Sequence, residues 1–386
     1  MNYPPRLEFR NPAQGQALQQ RLQRAVDRAG REVTLMHVCG SHEQAMARYG
    51  LRSSFPSDLR VLMGPGCPVC VTDAPEIDAC IALASQGIRV LTYGDMLRVP
   101  GRALSLADAK SAGARVEVIY AATQASEIAR QSPEPVVFFA TGFETTAVAT
   151  AALLLQNPPV NLQVLSAHKW VPAAMEVVAA TPDSQVEGFL AAGHAAAITG
   201  YGLFEPLVQR HQLPVVVAGF EPLDILAGLV ELVEHAVDKN AKVVNAFPRC
   251  VSRDGNPKAL SALRRVFELG DGQWRGIAEI ADGNLKLRAE FAKWDASLTY
   301  ADTLRAVAEL PERPWASDCR CGAIMSGLSE PSDCKLFGKE CRPEAPVGAC
   351  MVSSEGACRI WFEHGLDGHH RQRTAGPLPA RGPLKS

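Results

Sequence analysis

Between residue 33 and about residue 245, short β-rich apolar runs alternate with longer helical stretches, as expected of α/β units on a mostly parallel sheet. The runs expected as strands are Val33–Val38, Val61–Met63, Arg89–Thr92, Val116–Tyr120, Val136–Ala140, Gln163–Ser166, Val186–Leu190, Pro214–Val217 and Lys242–Val244. Helices are expected over Glu76–Ser85, Thr145–Leu155, Ala173–Ala180 and Leu223–His235. The linker Gln131-Ser-Pro-Glu-Pro135 suggests a division into an N-terminal lobe over residues 1–130 and a similar lobe over 131–245. Past Asn245 strand-like runs thin out, and helices are expected at Lys258–Leu269 and Asn284–Lys293. A cysteine-rich domain is expected over 246–365, and the tail 366–386, with adjacent His369 and His370, reads as disordered. The expected fold class is α/β, with two similar parallel-sheet lobes around a central cleft and a C-terminal cysteine-rich domain.

Chemistry-bearing residues gather where the strands end. Val38 leads into Cys39-Gly-Ser-His42, and Met63 into Gly64-Pro-Gly-Cys67-Pro-Val-Cys70. Ala140 leads into Thr141-Gly-Phe-Glu144-Thr145-Thr146, and Ser166 into Ala167-His168-Lys169. Leu190 precedes Gly193-His194, and Val217 precedes Gly219-Phe-Glu221-Pro-Leu-Asp224. Open α/β sheets bind ligands at the carboxyl ends of their strands, so these clusters point to one shared cleft. Turns also collect Gly, Thr and His at strand ends, and Thr141 to Thr146 reads equally well as a capped helix start with Glu144 near the positive end of the dipole. His37, inside a strand, reads as structural, and His168 and His194 taken singly read as core histidines.

The Gly64–Cys70 loop holds two sulfurs on a stiff turn, since Gly opens backbone angles that Pro then fixes. Such a pair can close a disulfide, ligate a soft metal, or cycle between the two. A zinc half-site is the plain alternative, but it calls for a second pair that Cys39 and Cys80 do not supply. Cys39 and His42, three residues apart, can face one metal or form an activated thiolate–imidazole pair. Cys80 and Cys250 read as packing residues. Near the C-terminus, Cys319, Cys334, Cys341 and Cys358 are too openly spaced for a compact zinc ribbon and can hold a 4Fe-4S cube, with zinc the alternative. Cys321 and Cys350 then remain as a redox pair beside it.

With 39 basic and 41 acidic residues there is no field to attract nucleic acid. No apolar run is long enough to span a membrane, and the N-terminal stretch carrying Arg6, Arg10, Arg21 and Arg24 lacks a signal-peptide core, so a cytoplasmic protein is expected. Eleven cysteines in a reducing compartment favour metal or redox chemistry over a disulfide framework. There is no Walker A loop, dinucleotide fingerprint or nucleophile elbow.

Cys39-Gly-x-His42, Gly64-Pro-Gly-Cys-Pro-Val-Cys70, Gly142-Phe-Glu-Thr-Thr146 and Cys334-Lys-Leu-Phe-Gly338 through Cys350-Met-Val-Ser-Ser-Glu-Gly-Ala-Cys358 together resemble the HypD family of hydrogenase maturation proteins, over about residues 30 to 365. The resemblance implies a redox-active scaffold that assembles the Fe(CN)2(CO) group of NiFe hydrogenases with a HypC-like partner, receiving cyanide by way of HypE. It implies that Cys39 binds the iron with His42 beside it, that Cys67 and Cys70 form a thiol/disulfide couple, and that Glu355 is functional. It also implies that Cys319, Cys334, Cys341 and Cys358 ligate a 4Fe-4S cluster, with Cys321 and Cys350 relaying electrons from it. Thr145, Thr146 and His194, with Glu144, are then expected to contact the assembled group. An iron–sulfur-dependent thiol–disulfide oxidoreductase is the alternative, though it leaves Cys39 unexplained. The chain departs from the family pattern at Asn245-Ala-Phe-Pro-Arg-Cys250 and Gly193-His-Ala-Ala-Ala, which bears on partner choice.

Overall fold

Asn11 accepts the amide protons of Ala13 and Gln14, Pro12 sets the first turn, and Gly30 at φ 64° ends the helix Pro12–Ala29 (α1). The computed structural model describes residues 11–182, 184–309 and 318–366; the expectation for the tail lies outside them, apart from Leu366. Val33–His37 (β1) is buried at every position, as a central strand of a parallel sheet must be. It pairs on one side with Leu59–Met63 (β2), Leu35 opposite Val61, and on the other with Phe189–Ala192 (β7). Val215–Ala218 (β8) and Val243–Asn245 (β9) complete this sheet, in the order β2-β1-β7-β8-β9. A second sheet orders Val116–Ile119 (β4), Arg89–Tyr93 (β3), Val136–Gly142 (β5) and Leu162–His168 (β6), again all parallel.

The fold is therefore α/β with parallel sheets, but strand order corrects the expected sequential lobes. The first sheet takes β1 and β2 from the start of the chain and β7 to β9 from beyond residue 188, while β3 to β6 form the second. A cut at Gln131–Pro135 would fall between β4 and β5, both in the second sheet. The physical reason is non-local: β7 finds its partner in β1 after the whole second sheet has been laid down. One hydrophobic cluster joins Met36 and Val217 of the first sheet to Val137 and Phe139 of the second and to Cys321, Cys350 and Met351.

The strand expected over Val186–Leu190 is displaced to Phe189–Ala192. A larger correction follows residue 257. The helix expected over Lys258–Leu269 ends at Val266, and Phe267–Trp274 (β10) pairs antiparallel with Ala278–Leu287 (β11). Leu285 and Leu287 are buried while Lys286 between them is exposed, a period of two where a helix was expected; the expected Asn284–Lys293 helix is thus strand followed by a short 3-10 turn at Ala289–Trp294. The pairing of Phe267 with Leu287 and Leu269 with Leu285 overrides the local helical preference.

Candidate functional site

Cys39 stands where β1 passes into the helix Gly40–Arg48 (α2), in the N-cap position and only 3% exposed. The Gly64–Gly66 turn lies directly on it. The Gly40 amide donates to the Gly66 carbonyl at 3.0 Å, and a Cβ on Gly66 would fall 2.1 Å from the Cys39 nitrogen, so only glycine lets the two backbones approach this closely. Burial pushes the Cys39 thiol up to about 12, aided by the charge of Glu355 and opposed by groups of His42 and Ser41 directed at the sulfur. Thiol protonation is the state favoured in the absence of a cation.

A cavity of about 440 Å3, open mouth included, is lined by Cys39, Gly66, Glu144 and His194, with Phe143, Val171 and Thr199 among its other walls. Residues following β1, β2, β5 and β7 thus meet at one place, each close behind its strand. Glu144 is 1% exposed; its Oε1 accepts the Val171 amide at 2.8 Å, while Oε2 has no partner. Burial raises this carboxyl to about 7. Thr145 and Thr146 lie half-buried on the helix Glu144–Leu155 that Glu144 begins and do not line the cavity; Thr146 packs against Gly142.

His42 is fully buried behind Cys39, with Nε2 3.0 Å from the Gly219 carbonyl. A carbonyl only accepts, so Nε2 carries the proton and Nδ1, which has no partner, presents a bare lone pair. Burial, with His37 and His194 nearby, lowers His42 to about 3. Phe220 stands between His42 and His194, its ring centroid 4.8 Å from one and 5.0 Å from the other. The sequence alone gave no reason to single out this ring within the Gly219–Asp224 cluster. His37, expected as structural, connects Cys39 to a buried ion pair: its Nδ1 lies 3.0 Å from the Cys39 carbonyl and its Nε2 2.7 Å from Glu43. Arg52 grips both oxygens of Glu43, and the Trp361 indole donates to one of them at 2.9 Å. His168 is a core histidine bonded to Thr150.

Cys67 and Cys70 are disulfide-bonded and frame the four-residue helix Pro68–Val71 (α3). That helix packs on the two short helices Cys321–Met325 and Ala349–Val352, which carry Cys321 and Cys350. Cys321 and Cys350 are hydrogen-bonded free thiols, and Cys350 lies 3.3 Å from Cys358. Cys319 is pushed up to about 12 by burial and by neighbouring Cys321, Cys334 and Cys341. Among the described residues no three His, Cys, Asp or Glu side chains converge as a ready metal-binding group, but the six C-terminal sulfurs occupy one electrostatic neighbourhood. Crowded thiols that raise one another's pKa form a donor set that a metal centre, which deprotonates its thiol ligands, would settle.

Glu355 closes the site from the C-terminal side. It accepts the Ser41 hydroxyl at 2.9 Å, and its backbone lies against Gly40. Cys80 is buried as expected, whereas Cys250 is exposed, because the turn after Asn245 directs it outward. Arg275, not singled out by any motif, faces the cysteine region from the β10–β11 hairpin; burial lowers its pKa against the opposing pull of Cys321, Asp73 and Cys319.

A family model described as HypD, hydrogenase formation hypA family, matches residues 13–365. The chain is 40% identical over 387 residues to hydrogenase maturation factor HypD of Azotobacter vinelandii, covering 97% of this chain and 99% of that protein. It is 39% identical over 355 residues to the HypD of Cupriavidus necator, covering 89% and 92%. The HypD of Rhodobacter capsulatus is 37% identical over 372 residues, covering 93% and 97%. No described helix is long and apolar enough to cross a membrane.

Proposed function

The chain belongs to the HypD family of hydrogenase maturation factors, and on that premise we propose that it is the scaffold on which the Fe(CN)2(CO) group of a NiFe hydrogenase is assembled, with Cys39 as the iron-binding thiolate. The observation that carries this reading is the contact of Gly66 with Cys39: the loop leading into Cys67 and Cys70 lies on the backbone of the cysteine that faces the cavity. A thiol raised to about 12 is a poor free nucleophile but becomes a good ligand once a ferrous ion displaces its proton, and soft thiolate suits low-spin iron. Glu144, whose unpartnered oxygen is protonated in the more acidic part of the neutral range, is a candidate hydrogen-bond donor to a cyanide nitrogen, with His194 on the same wall. Thr145 and Thr146 would support the turn that places Glu144. A HypC-like protein would share the iron at the open mouth, and HypE would deliver cyanide there.

Cys319, Cys334, Cys341 and Cys358 would hold a 4Fe-4S cluster, a group that supplies single electrons at low potential. The chain's own thiols offer the remaining steps. Cys321 and Cys350 as a dithiol can exchange with the Cys67–Cys70 disulfide; one S–S bond breaks as another forms, and two electrons and two protons pass to Cys67 and Cys70. Support comes from the packing: the short helix that carries the bonded Cys67–Cys70 pair lies directly against the two short helices that carry the thiols of Cys321 and Cys350.

Infrared absorption of the anaerobically purified protein, co-produced with its partner proteins, tests the reading. Cyanide and carbon monoxide bands are expected in the native chain and absent from Cys39→Ala. A brown protein without such bands would turn the assignment toward an iron–sulfur thiol reductase.

A further inference from the structure

The tip of the β10–β11 hairpin touches two parts of the thiol relay, the end of the Cys67–Cys70 helix through Arg275 and the start of the Cys321 helix through Gly276. The Arg275 amide donates to the Val71 carbonyl at 3.0 Å, and its Nε to the Thr72 carbonyl at 2.8 Å. These are carbonyls at the end of α3, the end a short helix leaves without internal partners. Nη2 extends the grip to the Pro100 carbonyl at 2.7 Å. On the other side, a Cβ on Gly322 would fall 2.0 Å from the Gly276 carbonyl oxygen. The residue after Arg275 therefore touches, backbone to backbone, the residue after Cys321. The tip is itself held in place: Trp274 stacks on Phe143 at 6.0 Å and donates to the Gly283 carbonyl at 3.1 Å, and the Gln273 carbonyl receives the buried Lys169 ammonium at 2.9 Å.

We propose that Arg275 is a positioning residue of the thiol relay, clamping the Cys67–Cys70 helix to the start of the Cys321 helix so that a disulfide can pass between the two pairs. This rests on the exchange reading given above. The exchange is internally balanced: the Cys67–Cys70 bond is reduced as a Cys321–Cys350 bond forms, and no outside oxidant or reductant takes part. A short helix pinned at its far end by a rigid, two-armed guanidinium cannot tilt away from its neighbour, whereas lysine keeps the charge but loses the fork.

The test uses the full-length chain, reduced and then given one equivalent of the thiol oxidant diamide under anaerobic conditions. Timed acid quenching, alkylation and mass spectrometry follow where the disulfide resides. In the native chain it is expected to redistribute between the two pairs until their ratio is constant. In Arg275→Gln that redistribution should slow at least ten-fold, while Arg275→Lys should fall between the two, with unfolding midpoints measured in parallel. Native-like redistribution in a folded Arg275→Gln protein would overturn the role. Should the glutamine variant not fold, a native rate in Arg275→Lys would overturn it equally. If the native chain itself never redistributes, the exchange reading fails, and the clamp's purpose falls with it.

Discussion

The hydroxyl of Ser41 donates to Glu355 across 2.9 Å, joining the second residue after Cys39 to the turn between Cys350 and Cys358. The helix that follows Cys39 and the cysteine-rich segment are thus connected by a direct polar contact as well as by packing. Burial holds the Glu355 carboxyl above its ordinary range, and the Ser41 bond works against that shift. Replacing Ser41 by alanine leaves a largely buried oxygen without its donor, a loss of about 1–3 kcal/mol in urea unfolding. A negligible change would mean that water replaces the hydroxyl and that the two segments are not mechanically tied here.

Glu43 supplies a second connection, since it binds His37 at the end of β1, Arg52 from the 3-10 turn Leu51–Ser54, and Trp361 from the helix Ala357–His364. Burial alone would raise this carboxyl, but Arg52 and His37 outweigh it and hold it well below the usual carboxylate range. A depressed acid stabilises the fold above its unfolded pKa, so stability should fall as pH drops below about 4.3 toward the folded value. At neutral pH Glu43→Gln strands a buried guanidinium, and a loss of about 3–5 kcal/mol is expected. Denaturant titrations of both proteins at pH 7 and pH 4 provide the check: the gap between them should narrow in acid.

The four C-terminal cysteines proposed to hold the cluster should separate sharply from Cys80 and Cys250, which lie apart from it. Cys334→Ser and Cys341→Ser are expected to lose bound iron and brown colour, because each removes a ligand that neighbouring sulfurs cannot replace without rearrangement. Cys80→Ser and Cys250→Ser, one in the core and one on the surface, should retain both. Metal analysis and visible absorption of the anaerobically isolated proteins decide the matter; an unchanged iron content in Cys334→Ser would remove that residue from the ligand set.

The strands between residues 33 and 245 were legible because they are short apolar runs, four of them (β1, β5, β7 and β8) buried at every position, and because most lead into a distinctive turn. Cys39, Glu144 and His194 could be placed at strand ends for that reason, and the cavity they line follows from it. Sheet membership was not legible: nothing local in Phe189-Leu-Ala-Ala192 says that it pairs with β1, more than 150 residues earlier in the chain. The β10–β11 hairpin was missed because its glycines and charged residues weaken the period-two signal, and its register is fixed by the partner strand. Phe220 and Arg275 went unnoticed for a related reason. Their importance comes from what surrounds them, and a lone aromatic or arginine carries no spacing to read.

Glu144 offers the most direct test of the cavity. Its carboxyl, ordinarily near 4.5, is raised to about 7 by burial, opposed only by backbone amides. Between those two values the folded chain holds a proton that the unfolded chain has released, so stability declines as pH rises from about 4.5 and levels off above about 7. The full difference amounts to about 3 kcal/mol. Glu144→Gln keeps the shape and the Val171 contact but removes the titration, so its stability should be nearly flat where the native protein's declines, once the contributions common to both cancel. Urea unfolding of the pair at pH 5 and pH 8 measures this difference directly. Parallel curves would show that the carboxyl is already ionised in the folded chain at pH 5, and a charged Glu144 could not donate a hydrogen bond to a cyanide nitrogen. A divergence of the expected sign places a proton on the cavity wall that Cys39 shares, where an anionic ligand on iron would need it.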